Sequence, residues 1–223
     1  MSSEMSRNAY PVTYFVTPQM EGRNRLTCFF RLILAIPHLI LVGGPGLAIG
    51  LSGPLGGLGD NNGFWFGAGA SGVIGAVAFV MAIVSWFAII FTGKQPKGLW
   101  DFAGFYLRWR SKAVAYSALL RDEYPPFGDG DYAVDFGVGE FPEQRDRWSV
   151  GLRIFYLIPH VIVLFFIGIA WFVTAVIGWF AILFTGSYPE SLYRFAIGYL
   201  RWSLRVEAYA LLMHDEYPPF SLD

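Results

Sequence analysis

The chain carries one order of segments twice, and that duplication limits its possible folds more than any other feature. A constant shift of 122 residues aligns Tyr10 with Tyr132, Val12 with Val134, Arg23 with Arg145, Arg31 with Arg153 and His38 with His160, without a gap. Further on, the segment from Trp86 to Gly93 returns as Trp179 to Gly186, and Asp122-Glu-Tyr-Pro-Pro-Phe127 returns as Asp215-Glu-Tyr-Pro-Pro-Phe220. Each copy opens on a short β-branched and aromatic stretch, Tyr10–Val16 or Tyr132–Val138, whose alternation predicts a strand. The organisation follows: a disordered tail over 1–9, a first repeat over 10–127, a linker at 128–131 and a second repeat over 132–223.

Composition decides the environment. With 55% hydrophobic and only 15% charged residues, the chain has more apolar side chains than a soluble core of this size requires. One apolar run spans about Leu26 to Leu51 with Arg31 as its only charge, and a second spans about Ser71 to Thr92, long enough for a bilayer. Between them, Ser52–Gly63 is rich in glycine and reads as a loop. In the second copy, the interval from His160 to Trp179 is 29 residues shorter than that from His38 to Trp86. Residues 154–186 then read as either one overlong helix or a tight hairpin. Every Lys and Arg falls in 7–31, 94–153 or 194–205, which places all of them on one membrane face if each copy is a hairpin. The expectation is four spans in the inner (cytoplasmic) membrane with both termini cytoplasmic. The second hairpin turns near Gly168 and is short or re-entrant.

After each hairpin comes a segment of helical period: Leu99, Phe102, Tyr106, Trp109, Ala113, Tyr116 and Leu120, and their counterparts Leu192 to Met213. Arg108, Lys112, Arg201 and Arg205 sit off that stripe, which predicts amphipathic helices lying in the bilayer interface. The expected fold class is therefore all-α integral membrane: two tandem helical hairpins, two interfacial helices and a small juxtamembrane β element. The first twenty-odd residues are mixed polar and do not read as a cleavable signal peptide.

With these motifs assembled, the chain resembles an uncharacterised family of bacterial membrane proteins built from a duplicated module. The resemblance rests on the arginine-rich starts, the Ile-Pro-His and Phe-Thr-Gly elements and above all Glu-Tyr-Pro-Pro-Phe, and it covers nearly all of residues 10–220. It implies a bacterial or archaeal membrane protein and brings no catalytic residue or substrate with it.

Three sets of residues are candidates for function. His38 and His160 each follow a proline inside an apolar run, and the repeat relates them by an approximate two-fold axis along the membrane normal. An ionisable group at that depth is a functional candidate by default; the plainer reading is a neutral imidazole bonded to a carbonyl that the proline frees. Arg23, Arg25, Arg31, Arg145, Arg147 and Arg153, with Arg108 and Arg201, either mark topology or bind anionic lipid phosphates. Asp122, Glu123, Asp215 and Glu216 follow the helical segments. They are expected to meet the paired arginines of their own or the other copy in a structural clamp. No nucleophile or metal motif accompanies these carboxylates, two histidines do not fill a metal's coordination shell, and Asp60-Asn-Asn62 lacks the calcium-loop spacing. The lone Cys28 reads as a packed thiol.

The sequence thus points away from an enzyme, a resident cofactor and nucleic acid. It points toward a membrane scaffold or accessory subunit that contacts lipids and works as a homo-oligomer or within a larger membrane complex. The alternative is an oligomeric transporter or channel with His38 and His160 near its path.

Overall fold

The computed structural model describes residues 10–45 and 72–223. The tail 1–9 and the glycine-rich loop 52–63 lie outside the described residues. Its elements are β1 (Val12–Val16), α1 (Arg25–Phe29), α2 (Arg31–Val42), α3 (Gly72–Thr92), α4 (Lys97–Ser117), β2 (Val134–Val138), α5 (Arg147–Thr185) and α6 (Glu190–Ala210).

Local chemistry sets the boundaries identically in both copies. Asn24 and Asp146, related by the 122-residue shift, cap the helices that follow, accepting from the backbone N–H groups of Leu26 and Thr27 and of Trp148 respectively. Gly93 and Gly186 leave α3 and α5 at φ 74° and 75°, conformations that favour glycine. Pro96 and Pro189 open α4 and α6. These two helices end on leucines, not glycines, in the left-handed region: Leu119 at φ 65° and Leu212 at φ 63°. The N–H of Leu120 closes back on the Ala115 carbonyl and that of Met213 on Ala208, so each strained residue sits inside a hydrogen-bonded stop.

β1 and β2 pair antiparallel with Tyr14 opposite Phe136 at the centre. That pair maps onto itself under the shift, so the two-fold relation between the copies passes through it. Val12, Tyr14, Val16, Val134 and Phe136 face inward and are buried, whereas Thr13 and Asp135 face out. The sheet lies on α4 and α6, and these pack on their other side against α2 and α3 and against α5. The result is three layers: sheet, a middle pair of helices, and a layer of apolar helices.

This arrangement overturns the four-span expectation. Among the described residues two helices are long and apolar enough to cross a membrane, Gly72–Thr92 and Arg147–Thr185, and the second is uninterrupted over 39 residues. Gly168 is therefore not a turn. It lies inside α5, where the Tyr199 hydroxyl comes within 3.0 Å of the place a Cβ would occupy; Gly75 in α3 receives Tyr106 in the same way at 2.9 Å. The glycine provides a notch for a tyrosine, and a notch leaves the helix intact. Pro159 is likewise housed within α5, at the loss of one backbone donor.

The interfacial helices are corrected too. α4 and α6 each bury twelve residues, Arg110, Lys112 and Glu207 among them, so they form the centre of the molecule and not its rim. An amphipathic stripe with polar residues beside it also describes a helix held between two layers, provided the charges find partners.

Candidate functional site

Where the chain leaves α4 and α6, charges from the apolar layer and its approaches meet an aspartate in two equivalent clamps. In the first copy, Asp122 takes bidentate hydrogen bonds from Arg23 at 2.8 and 3.0 Å, one from Arg31 at 2.6 Å and one from the Asn24 N–H at 2.8 Å. In the second, Asp215 takes them from Arg145 at 2.6 and 3.1 Å, from Arg153 at 2.7 Å and from the Asp146 N–H at 3.2 Å. Arg31 also donates to the carbonyls of Tyr116 and Arg121 and lies 4.2 Å over the Tyr116 ring. Arg153 donates to the Tyr209 carbonyl and lies 4.1 Å over that ring. Burial pushes both aspartates up, but the arginines and backbone donors outweigh it and hold each carboxyl below its usual range.

The clamps thus use the first arginine of each Arg-x-Arg pair together with Arg31 or Arg153, and they use aspartate. Glu123 turns instead to Arg121, two residues before it, at 2.5 Å. Glu216 is exposed. Arg25 and Arg147 are exposed as well, their guanidinium groups laid against the Phe-Thr-Gly turn of the other copy, Arg25 by Gly186 and Arg147 by Gly93. Arg108 pairs with Asp129 at 2.7 Å on the surface, and Lys112 donates to the Gly130 carbonyl at 2.5 Å. Arg201 makes long contacts, 3.4 Å each, to the carbonyls of Tyr14 and Leu222.

The histidines occupy equivalent aromatic boxes. His38 Nδ1 accepts from the Trp109 indole N–H at 3.1 Å, and its ring stacks on Phe127 with centroids 4.5 Å apart. His160 Nδ1 accepts from Trp202 at 3.2 Å and stacks on Phe220 at 4.0 Å. An accepting Nδ1 means a neutral ring with its proton on Nε2. Each imidazole therefore anchors the Tyr-Pro-Pro-Phe segment of its own copy to the apolar helix, with an indole as its partner where a freed carbonyl was the plainer expectation. Both rings are buried.

Between the copies lies a contact without a counterpart. Arg110 of α4 donates to Glu207 of α6 at 2.8 Å and to the Val42 carbonyl at 2.7 Å, and the Tyr106 hydroxyl donates to Glu207 at 3.0 Å. Both side chains of the ion pair are 1% exposed. Burial pushes the Glu207 carboxyl up, and Arg110 and Tyr106 pull it part of the way back. The sequence reading missed this pair because the repeat places serine (Ser203) and valine (Val114) at the equivalent positions.

Chemically, these arrangements hold elements together. Among the described residues no group of three or more His, Cys, Asp and Glu side chains could hold a metal ion. One open depression of about 640 Å³ is lined by Glu123–Phe127 and Asp131–Ala133. Large apolar side chains are exposed on the apolar helices: Leu32, Ile33, Phe91, Ile154, Phe155, Phe166 and Phe184 are each more than 60% exposed, all on α2, α3 and α5. Segments 32–45, 72–93 and 154–189 contain no charged residue. Contiguous exposed apolar side chains of this kind mark a face for interaction with a membrane or another protein.

The model of a family described as Domain of unknown function (DUF4389) matches residues 66–128 and 147–221, more than half of the chain, and the chain belongs to that family. Each matched segment ends directly after a Tyr-Pro-Pro-Phe motif. No curated protein and no solved structure matches the chain.

Proposed function

We propose that this member of the DUF4389 family is a non-enzymatic membrane scaffold, seated in an anionic bilayer by its apolar helices and presenting its sheet side to partners. One observation carries the proposal: α2, α3 and α5 turn a charge-free surface of large apolar side chains outward, while the sheet and its connections carry the exposed carboxylates Asp129, Asp131, Asp135, Glu140 and Glu143. The burial of ionisable groups supports the same reading. Arg23, Arg31, Arg145, Arg153 and Glu207 are spent on holding segments in place, an economy that suits a rigid frame better than a reactive site.

The lipid contacts narrow accordingly. Four of the eight candidate arginines are buried behind aspartates, Arg108 faces Asp129, and the half-buried Arg201 lies against the Tyr14 and Leu222 carbonyls. Arg25 and Arg147 remain, exposed at the starts of α1 and α5, beside Leu26 at 68% and Trp148 at 81% exposure. A cation next to an apolar anchor is the arrangement that engages a phosphate at the headgroup level. At about 1 kcal/mol per basic residue near anionic lipid, the pair is worth roughly a thirtyfold preference. Flotation of the purified chain with vesicles of phosphatidylcholine, with and without phosphatidylglycerol, tests this. The chain should float with both, more strongly with the anionic vesicles, and Arg25→Gln with Arg147→Gln should remove most of the difference. A chain that stays at the bottom of the gradient with either vesicle refutes the membrane reading.

A further inference from the structure

We infer that α5, despite its length, does not cross the bilayer: the apolar layer lies in a single leaflet, with both ends of α5 at the same depth. This inference rests on the membrane reading above and adds to it how the chain sits.

Reciprocal contacts hold the two ends of the long helix. At its start, the Arg145 N–H donates to the Gly93 carbonyl at 3.2 Å and the Trp86 indole donates to the Val150 carbonyl at 3.0 Å. At its finish, the Arg23 N–H donates to the Gly186 carbonyl at 3.0 Å and the Trp179 indole donates to the Cys28 carbonyl at 3.1 Å. The 122-residue shift converts Arg23 into Arg145 and Cys28 into Val150, and the repeat equates Trp86 with Trp179 and Gly93 with Gly186. The two junctions are therefore related by one two-fold operation, and the start and finish of α5 exchange places under it.

The direction of that axis decides the topology. It passes through the sheet, because Tyr14↔Phe136 is the pair that maps onto itself, and between α4 and α6, where Arg110 meets Glu207. An axis in the membrane plane would put the sheet at the depth of the bilayer centre. There its outward Thr13 and Asp135, its unpaired strand edges and the neighbouring Asp129 and Glu140 would have lipid for solvent. Lipid offers neither hydrogen bonds to free backbone groups nor solvation to carboxylates, so that placement is strongly disfavoured. An axis along the membrane normal puts the sheet in water, α4 and α6 beneath it and the apolar helices deepest, which is the observed layer order. Under that axis equivalent points share one depth, so the junctions at Gly93 and Gly186 do too. An unbroken helix that starts and finishes at one depth crosses nothing. Its length agrees: 39 residues extend about 58 Å, nearly twice a hydrocarbon core of about 30 Å, which suits a helix running along a leaflet.

Two exposed residues report the two ends. Lys97 begins α4 next to the Gly93 junction and Glu190 begins α6 next to the Gly186 junction, and among the described residues each makes a surface i,i+4 pair. Lys97→Cys and Glu190→Cys, each made in full-length chain with Cys28→Ala, are expressed in membranes converted to sealed vesicles of either orientation. A membrane-impermeant maleimide is then applied. One-leaflet seating requires both positions to label in the same vesicle orientation and neither in the other. Labelling in opposite orientations overturns the inference while leaving the membrane scaffold intact; absence of the chain from the membrane fraction overturns both. Should Cys28→Ala impair folding, the same variants are labelled with Cys28 present, since that thiol is buried and a variant without the second cysteine measures its background.

Discussion

The two copies of the module are held by the same contacts but carry their apolar segment differently. In the second copy α5 runs unbroken from Arg147 to Thr185; in the first the same ground is covered by α1, α2 and α3, with residues 43–71 set between them. Each nevertheless keeps its aspartate clamp, its histidine box and its Phe-Thr-Gly turn against the other copy's arginine. The comparison teaches that the contacts at the ends and middle of the apolar segment define the module, and that continuity of the helix between them does not. One departure in chemistry lies at their meeting place. Arg110 and Glu207 stand where symmetry would put serine and valine.

That departure offers the largest test. Glu207→Val gives α6 the residue α4 has at the same position and leaves the Arg110 guanidinium buried without its carboxylate. Breaking a buried pair from one side costs roughly 3–5 kcal/mol. Adding Arg110→Ser restores the symmetric pattern and should recover most of that loss in detergent unfolding, because an apolar or small polar replacement of a buried pair is often near neutral. If the double variant is no better than the single one, the pair is not a self-contained substitution and the copies are more deeply divergent than their contacts suggest.

The second test compares the clamps directly. The Asp122 side chain is 10% exposed and that of Asp215 25%, so solvent screens the second clamp more. Asp122→Asn should destabilise by about 2–4 kcal/mol, by the cost of stranding buried cations, and Asp215→Asn by less. The pH dependence follows in sign. Both carboxyls titrate below their ordinary range in the folded chain. Their contribution is therefore complete above about pH 4, the unfolded value, and drains away as pH falls through the lower folded values. Unfolding midpoints measured from pH 6 down to pH 3 should fall for the parent chain and fall less steeply in the Asp122→Asn variant, which keeps only the Asp215 contribution. Equal losses for the two aspartates would show that exposure does not separate the copies.

How much of this was legible in the sequence differs from element to element. The duplicated motifs pointed to the meeting of Arg23 with Asp122 and of Arg145 with Asp215; that Arg31 and Arg153 join these clamps, and that indoles and phenyl rings enclose His38 and His160, is seen only in the fold. The sequence could not say that aspartate, and not the adjacent glutamate, closes each clamp. That choice is made where Leu119 and Leu212 turn the chain into the left-handed region, and neither leucine advertises it. The continuity of α5 was hidden because a glycine receiving a tyrosine hydroxyl and a glycine making a turn look alike in sequence. The burial of α4 and α6 was hidden for a related reason: their stripe fits an interface and a sandwiched layer equally well until the partners of Arg110 and Lys112 are known.

The smallest test asks whether the boxes are as equivalent as they look. Trp109→Phe and Trp202→Phe each keep an aromatic ring against the histidine and remove the one N–H that donates to its Nδ1. A lost hydrogen bond of this kind is worth about 0.5–1.5 kcal/mol, and the acceptor left behind is buried in both copies. The two variants should therefore lose similar amounts, and the double variant should lose their sum, since each box is built from residues of its own copy. Urea unfolding of the four proteins in one detergent measures this. A marked inequality would mean that the break between α2 and α3 lets the first box relax where continuous α5 holds the second one rigid. Continuity of the apolar helix would then matter to the module after all.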